Sequence, residues 1–189
     1  MLKRSLLGVA ALSAALVGGA ASANAQQMSP VHFGVSAGAS IPTGSGWGSG
    51  EKFWNTGYNV TGLVSLSSPT MPAGLRGEVM YHSFGAKNNT GVDDAHILAG
   101  TLNAVVQVPA SGLNPYVIGG AGAYNLKAAS SDVSDSRTKF GLNGGLGLKF
   151  NLSGFSTFAE SRFHYVFDKD SDVGRPNLAF VPINFGLVF

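Results

Sequence analysis

The sequence predicts an all-β protein: a closed antiparallel eight-stranded transmembrane β-barrel behind a cleavable N-terminal signal peptide. Three observations lead there. The chain repeats eight stretches of roughly ten residues in which apolar side chains fall on every second position. After the leader, no stretch holds the ~20 apolar residues that a membrane helix needs. Charged residues are only 12% of the chain, and those inside the stretches share one face. A period of two over such lengths describes a ribbon with one side in hydrocarbon.

Residues 1–25 have the form of an export signal. Lys3 and Arg4 give a positive start, Leu6 to Val17 an apolar run, and Ala23-Asn24-Ala25 a small-x-small cleavage site. The run is short for a membrane helix, and the chain has no cysteine to carry a lipid. Residues 26–189 are then the barrel domain. The 12 Lys and Arg exceed the 10 Asp and Glu only through Lys3 and Arg4, so the basic balance belongs to the precursor. With no basic cluster left, a nucleic-acid partner is excluded. The missing cysteines exclude disulfides and thiolate metal sites.

The first stretch, Val31 to Ile41, sets Val31, Phe33, Val35, Ala37, Ala39 and Ile41 against His32, Gly34, Ser36, Gly38 and Ser40. The second, Tyr58 to Leu66, sets Tyr58, Val60, Gly62 and Val64 against Asn59, Thr61, Leu63 and Ser65. In the third, Leu75 to Phe84, Leu75, Gly77, Val79 and Tyr81 oppose Arg76, Glu78, Met80 and His82. In the fourth, His96 to Val108, Leu98, Leu102, Ala104 and Val106 oppose Ala99, Thr101, Asn103 and Gln107. Glycine and alanine fill the middle of the fifth, Pro115 to Lys127. There Tyr116, Ile118, Tyr124 and Leu126 are expected outside, because Asn125 and Lys127 then face inward. The sixth, Lys139 to Phe150, puts Phe140, Leu142, Leu146, Leu148 and Phe150 outside, with Lys139, Asn143 and Lys149 inside. The seventh, Phe155 to Phe167, puts Phe163 and Tyr165 outside, with Glu160, Arg162 and His164 inside. The eighth, Leu178 to Phe189, presents Val181, Ile183, Phe185, Leu187 and Phe189 on one face. Pro182 lies within it, lacks an N–H for the ladder, and predicts a bulge or local gap.

The breaks alternate in length. Pro42–Gly57, Gly85–Ala95, Ala128–Thr138 and Asp168–Asn177 are long, whereas Ser67–Gly74, Pro109–Asn114 and Asn151–Gly154 are short. Long loops outside and tight turns on the periplasmic side are the habit of outer-membrane barrels. Arg76, Glu78, Lys149, Glu160 and Arg162 are the charges well inside strands, and all five fall on the inward face. A Lys or Arg facing lipid at the midplane would cost roughly 2–4 kcal/mol. Two aromatic girdles follow from the same phase. Tyr58, Tyr81, Tyr124, Phe140 and Tyr165 form the outer one; Phe33, Tyr116, Phe150, Phe155 and Phe189 form the periplasmic one.

The opening VHFGVSAGASIP, the central NPYVIGGAGAYN and the closing NFGLVF carry a resemblance. From Val31 to Phe189 the chain resembles the small eight-stranded outer-membrane proteins of the OmpA-barrel, OmpX and opacity-protein type. That resemblance implies an outer-membrane location and roles from envelope structure and adhesion to small pores and, occasionally, enzymes. It also implies that Phe185, Leu187 and Phe189 form the signal read by the barrel-assembly machinery, through strand addition.

Charges inside a narrow barrel must pair or be hydrated, so Arg76, Glu78, Lys149, Glu160 and Arg162 predict an ion-pair plug, with a rearranging gate as the alternative. Neighbours on a strand face opposite ways, so His82 and Ser83 cannot form a same-face pair. No serine follows His164 by two, so the His-x-Ser pattern of lipid-deacylating barrels is missing and no enzyme is expected. Trp47, Phe53 and Trp54 read as girdle or loop packing, with a recognition tip as the alternative. Asp168, Asp170 and Asp172 lack the glycine and distal glutamate of a calcium loop and read as solvated charge. No cofactor or metal is expected. The expected function is a structural or surface-interaction role in the bacterial envelope; the alternative is a small pore for ions or small or hydrophobic solutes. A soluble lipocalin-like carrier would turn apolar faces inward, against the inward charges. The partners expected are outer-membrane lipid and lipopolysaccharide, the assembly machinery, and a surface partner at the long loops.

Overall fold

The computed structural model describes residues 31–44, 47, 55–67, 73–85, 92–108, 113–130, 133–168 and 176–189. The leader, Phe53, Trp54, Asp170 and Asp172 lie outside them. Eight strands follow one another: β1 Val31–Thr43, β2 Gly57–Leu66, β3 Ala73–Gly85, β4 Val92–Gln107, β5 Leu113–Ser130, β6 Val133–Asn151, β7 Ser156–Val166 and β8 Leu178–Val188. Each pairs antiparallel with the next, and β8 closes on β1. No helix among the described residues is long and apolar enough to cross a membrane.

Closure gives every strand a neighbour on both sides, which a lipid-facing sheet requires. Short turns close by backbone bonds. Val108 N–H donates to Pro115 O at 2.8 Å, and Leu152 N–H to Phe155 O at 2.8 Å, with Gly154 at φ 90°. At the opposite end, β4, β5 and β6 run to 16, 18 and 19 residues. Most of the long break expected over Ala128–Thr138 is therefore strand, paired from Asn125↔Thr138 up to Ser130↔Val133.

Alternation sets the wall. Phe33, Val35, Val60, Val79, Leu102, Leu146, Phe163 and Phe185 are exposed on the outside, while Asn59, Thr61, Arg76, Glu78, Asn103, Glu160 and Arg162 are buried inside. Strand β5 runs in the phase opposite to the one expected. Tyr116, Ile118, Tyr124 and Leu126 are buried in the lumen, and Val117 is exposed. Asn125 and Lys127 instead face outward, beyond the apolar band near the long-loop end, where a polar side chain meets water or headgroups at little cost.

Pro182 produces the gap without a bulge. Its register with β1 is unbroken, from Gly34↔Val188 to Thr43↔Ala179. On the β7 side the ladder stops at Ser161↔Ile183 and resumes at His164↔Phe180 in the same register. The missing N–H leaves two positions unpaired, Arg162 opposite Pro182 and Phe163 opposite Val181, with no slip.

Candidate functional site

Strands β3 and β7 stand on opposite sides of the eight-membered ring of strands. Each carries an Arg and a Glu two residues apart, so both side chains enter the lumen. The pairs exchange partners across the barrel. Arg76 Nη1 donates to Glu160 Oε2 at 2.7 Å, and Arg162 Nη1 to Glu78 Oε2 at 2.6 Å. Arg162 Nε lies 2.7 Å from Glu160 Oε1, and Arg76 Nη1 3.7 Å from Glu78 Oε1. Two cations and two anions close a neutral ring that ties opposite walls together.

Buried charge is tolerated only with further hydrogen bonds. Strand β4 supplies Thr101 Oγ1 at 3.2 Å and Asn103 Nδ2 at 2.9 Å to Glu78 Oε2. Strand β5 supplies Tyr116 OH at 2.7 Å to Glu160 Oε2. The Arg76 guanidinium sits 5.4 Å from the ring centres of both Tyr116 and Phe158. Tyr116 is thus part of the charge cluster, not of the periplasmic girdle expected for it. The Tyr124 hydroxyl likewise faces inward, hydrogen-bonded to His164 Nδ1 at 2.9 Å. The signal was present in the sequence: Val117, Gly119, Ala121 and Ala123 carry no polar side-chain atom, whereas both tyrosines carry a hydroxyl that must be satisfied when buried. Of the other girdle residues, Phe33, Tyr58, Phe140, Phe150, Phe155 and Phe189 are exposed outside, and Tyr81 and Tyr165 are half-buried on that face.

Glycine makes room for these bulky lumen groups. A Cβ at Gly147 would overlap the Tyr116 ring, and one at Gly145 would meet the Arg162 stem. Gly147→Ala is expected to push Tyr116 off Glu160 and lower stability by about 1–3 kcal/mol, read as the shift in the denaturant midpoint of the refolded protein. An unchanged midpoint would mean that the ring has free space elsewhere.

Towards the long loops the ring is capped by an apolar layer. Trp47, Met80, Phe84, Ile97, Leu126, Val166 and Phe180 pack together. Phe180 stacks on His164 at 4.8 Å and meets His82 edge-on at 4.9 Å. His82 Nδ1 is 2.8 Å from Ser40 Oγ, and Trp47 Nε1 donates to Ala179 O at 2.6 Å, fixing Trp47 in the cap. The lumen is therefore not polar throughout, as expected from the inward charges alone; its upper part is an aromatic core.

Towards the short turns lies a small vestibule lined by His32, Arg76, Gln107, Tyr116, Lys149 and Phe158, among others. Lys149 opens into it and, unlike the other four charges predicted to cluster, makes no ion pair among the described residues. Geometry explains the difference: Lys149 is opposite Phe158 and Asn114 in register, away from the carboxylates. Among the described residues, no three His, Asp or Glu side chains converge as a metal site would need.

At the rim, Asp168 is buried rather than solvated. Arg137 grips both its oxygens, with Nε at 2.9 and 3.0 Å and Nη2 at 2.7 Å, and Lys139 Nζ lies 3.6 Å away. The clamp ties the extended β5–β6 hairpin to the end of β7. Asp168→Asn is expected to weaken it by about 1.5–3 kcal/mol, the range for hydrogen bonds to charged groups. The readout is faster amide exchange over residues 136–140, with residues 142–149 unchanged; uniform exchange along β6 would refute a local clamp.

Residues 12–186 match the family model described as outer membrane protein beta-barrel domain. The chain belongs to that family. No curated protein matches it in sequence. Among solved structures, this outer-membrane barrel is similar to Neisserial surface protein A, with TM-score 0.62 at 11% identity, over 85% of this chain and 96% of that one. It is also similar to a major outer membrane protein from Thermus thermophilus, with TM-score 0.58 at 13% identity, over 84% and 98%. Ail, the attachment invasion locus protein of Yersinia pestis, aligns with TM-score 0.50 at 20% identity, over 84% and 97%. At these identities the barrels share a fold.

Proposed function

We propose that this outer-membrane barrel is a sealed structural scaffold that presents its long loops at the cell surface. The support is the blocked lumen. The Arg76–Glu160 and Arg162–Glu78 bridges span it, and the Phe84–Phe180–Trp47 layer caps it. A continuous water path would have to break a compensated buried charge pair and displace packed aromatic side chains. What remains to interact is the outer surface: the loops, and the wall facing lipid and lipopolysaccharide. Two proteins of similar fold are named for a surface location and for attachment, which accords with this reading. On the same reading, Phe185, Leu187 and Phe189, all exposed on the outer wall, are the edge that the assembly machinery grasps.

Planar-bilayer recording of the refolded protein tests the plug. The expected record has no stable single-channel steps. Reproducible steps that change on Glu160→Ala would overturn the scaffold reading in favour of a small pore gated by the ring.

A further inference from the structure

The register lines up a polar row on the membrane-facing wall near the long-loop end. Tyr58 is opposite Ser83, Ser83 opposite His96, His96 opposite Lys127, and Lys127 opposite Ser136. Five neighbouring strands, β2 to β6, thus contribute one hydroxyl, imidazole or ammonium group each. Alternation turns these positions outward, and Tyr58, Lys127 and Ser136 are exposed. The next row contains Tyr81, Leu98, Asn125 and Thr138. Tyr81 OH is 3.0 Å from His96 Nδ1, which leaves the other ring nitrogen for a ligand. Asn125 Nδ2 donates to Ser136 Oγ at 3.1 Å and Thr138 Oγ1 at 3.0 Å, holding that end of the row in place.

Beneath the β2–β4 part of this row, and on past it to β1 and β8, the wall is hollow. The following row reads Gly62, Val79, Gly100 and Ala123, and ends on β6 at the bulky Phe140. A Cβ at Gly62, Gly77 or Gly100 would meet nothing within 4 Å. An open apolar groove of about 610 Å³ runs here, its lining including Ala37, Val60, Gly62, Val79, Leu98 and Tyr81. Tyr81 therefore touches both the groove and, through His96, the polar row. Phe185 of β8 borders the groove, and beyond it Leu146 and Phe163 make the wall bulky.

We propose that this face is a binding site for a phosphorylated glycolipid of the outer leaflet, of the lipid A class. The chemistry divides between the two levels. Lys127 provides positive charge, and His96 a ring nitrogen, for a phosphate at headgroup depth. Tyr58, Ser83 and Ser136 provide hydroxyls for sugar hydroxyls, which a simple phospholipid lacks. The groove takes an acyl chain against near-bare backbone. The site rests on the reading above that the long-loop end faces outward, because lipid of this class lies in the outer leaflet.

Native mass spectrometry of the full refolded barrel in detergent tests it, titrating diphosphorylated lipid A, dephosphorylated lipid A and phosphatidylglycerol separately. Asp94 stands two residues before His96, so EDTA is included to read direct contacts rather than cation-bridged ones. Adducts are expected with the diphosphorylated form, about tenfold weaker in Lys127→Gln, a change of about 1.4 kcal/mol. Gly62→Leu puts a side chain into the groove, at a position where a Cβ meets no protein atom within 4 Å, and is expected to weaken binding similarly, whereas Lys149→Gln, inside the barrel, leaves it unchanged. Equal binding of phosphatidylglycerol or the dephosphorylated form, or wild-type affinity in both Lys127→Gln and Gly62→Leu, would overturn the site. Gel mobility with and without boiling separates the two failures. Variants that keep the heat-dependent shift but lose no affinity sink the lipid site alone; a wild type with no shift sinks the barrel reading beneath it.

Discussion

Glu160→Ala is expected to destabilise the barrel by about 3–5 kcal/mol, because it strips a partner from two buried cations at once. Arg76 Nη1 would lose its 2.7 Å contact, and Arg162 Nε would lose its own at 2.7 Å. One carboxylate, Glu78, would then face two guanidinium groups, while Tyr116 OH would lose its acceptor. The lumen has little room to relax around this loss, since an apolar layer caps the ring on one side and Val105, Tyr116 and Ile118 pack beside it. Denaturant unfolding in lipid vesicles, followed by the loss of heat-modifiable mobility, measures it. The double variant Arg76→Met with Glu160→Ala is expected to recover part of the loss, since removing both members of a pair leaves less uncompensated charge. A cost below about 1 kcal/mol for Glu160→Ala would instead describe a hydrated, loosely paired ring, of the kind found for exposed pairs.

Val117→Arg is expected to cost about 2–4 kcal/mol, the penalty for a cation on the lipid face near mid-membrane. Val117 points outward on β5 with 55% of its surface exposed, between the buried Tyr116 and Ile118. The experiment discriminates sharply, because alternation read from the sequence puts Val117 inside. There, an added cation would meet Glu160 or the vestibule instead of hydrocarbon. Lys127→Arg, ten residues along the same face but at headgroup depth, is the control and is expected to be neutral. If Val117→Arg proved as mild as that control, the phase of β5 would have to be reversed.

These two positions mark how far the sequence could be read. Arg76, Glu78, Glu160 and Arg162 announced the lumen face of β3 and β7, because a charge cannot sit against hydrocarbon and period two then fixes every neighbour. Strand β5 carried no mid-strand charge, only the weaker signal of its two tyrosine hydroxyls. Its midsection is glycine and alanine, which suit either face, and its charged residue, Lys127, lies at the rim, where both faces are wet. Pro182 announced its missing rung, yet whether the ladder would slip or merely skip depended on the register held by β1 on its other side.

The amino-acid sequence alone determined that eight two-faced ribbons close with hydrocarbon outside, since alternation and the phase of buried charge are local, one-dimensional properties. Only the tertiary structure decided who pairs with whom. That Arg76 crosses to Glu160, that Tyr116 completes the carboxylate, that Lys149 stands apart and that Asp168 is gripped by Arg137 all depend on register and shear. Those set which residues from strands far apart in sequence arrive at one height, and no period within a single strand encodes that height.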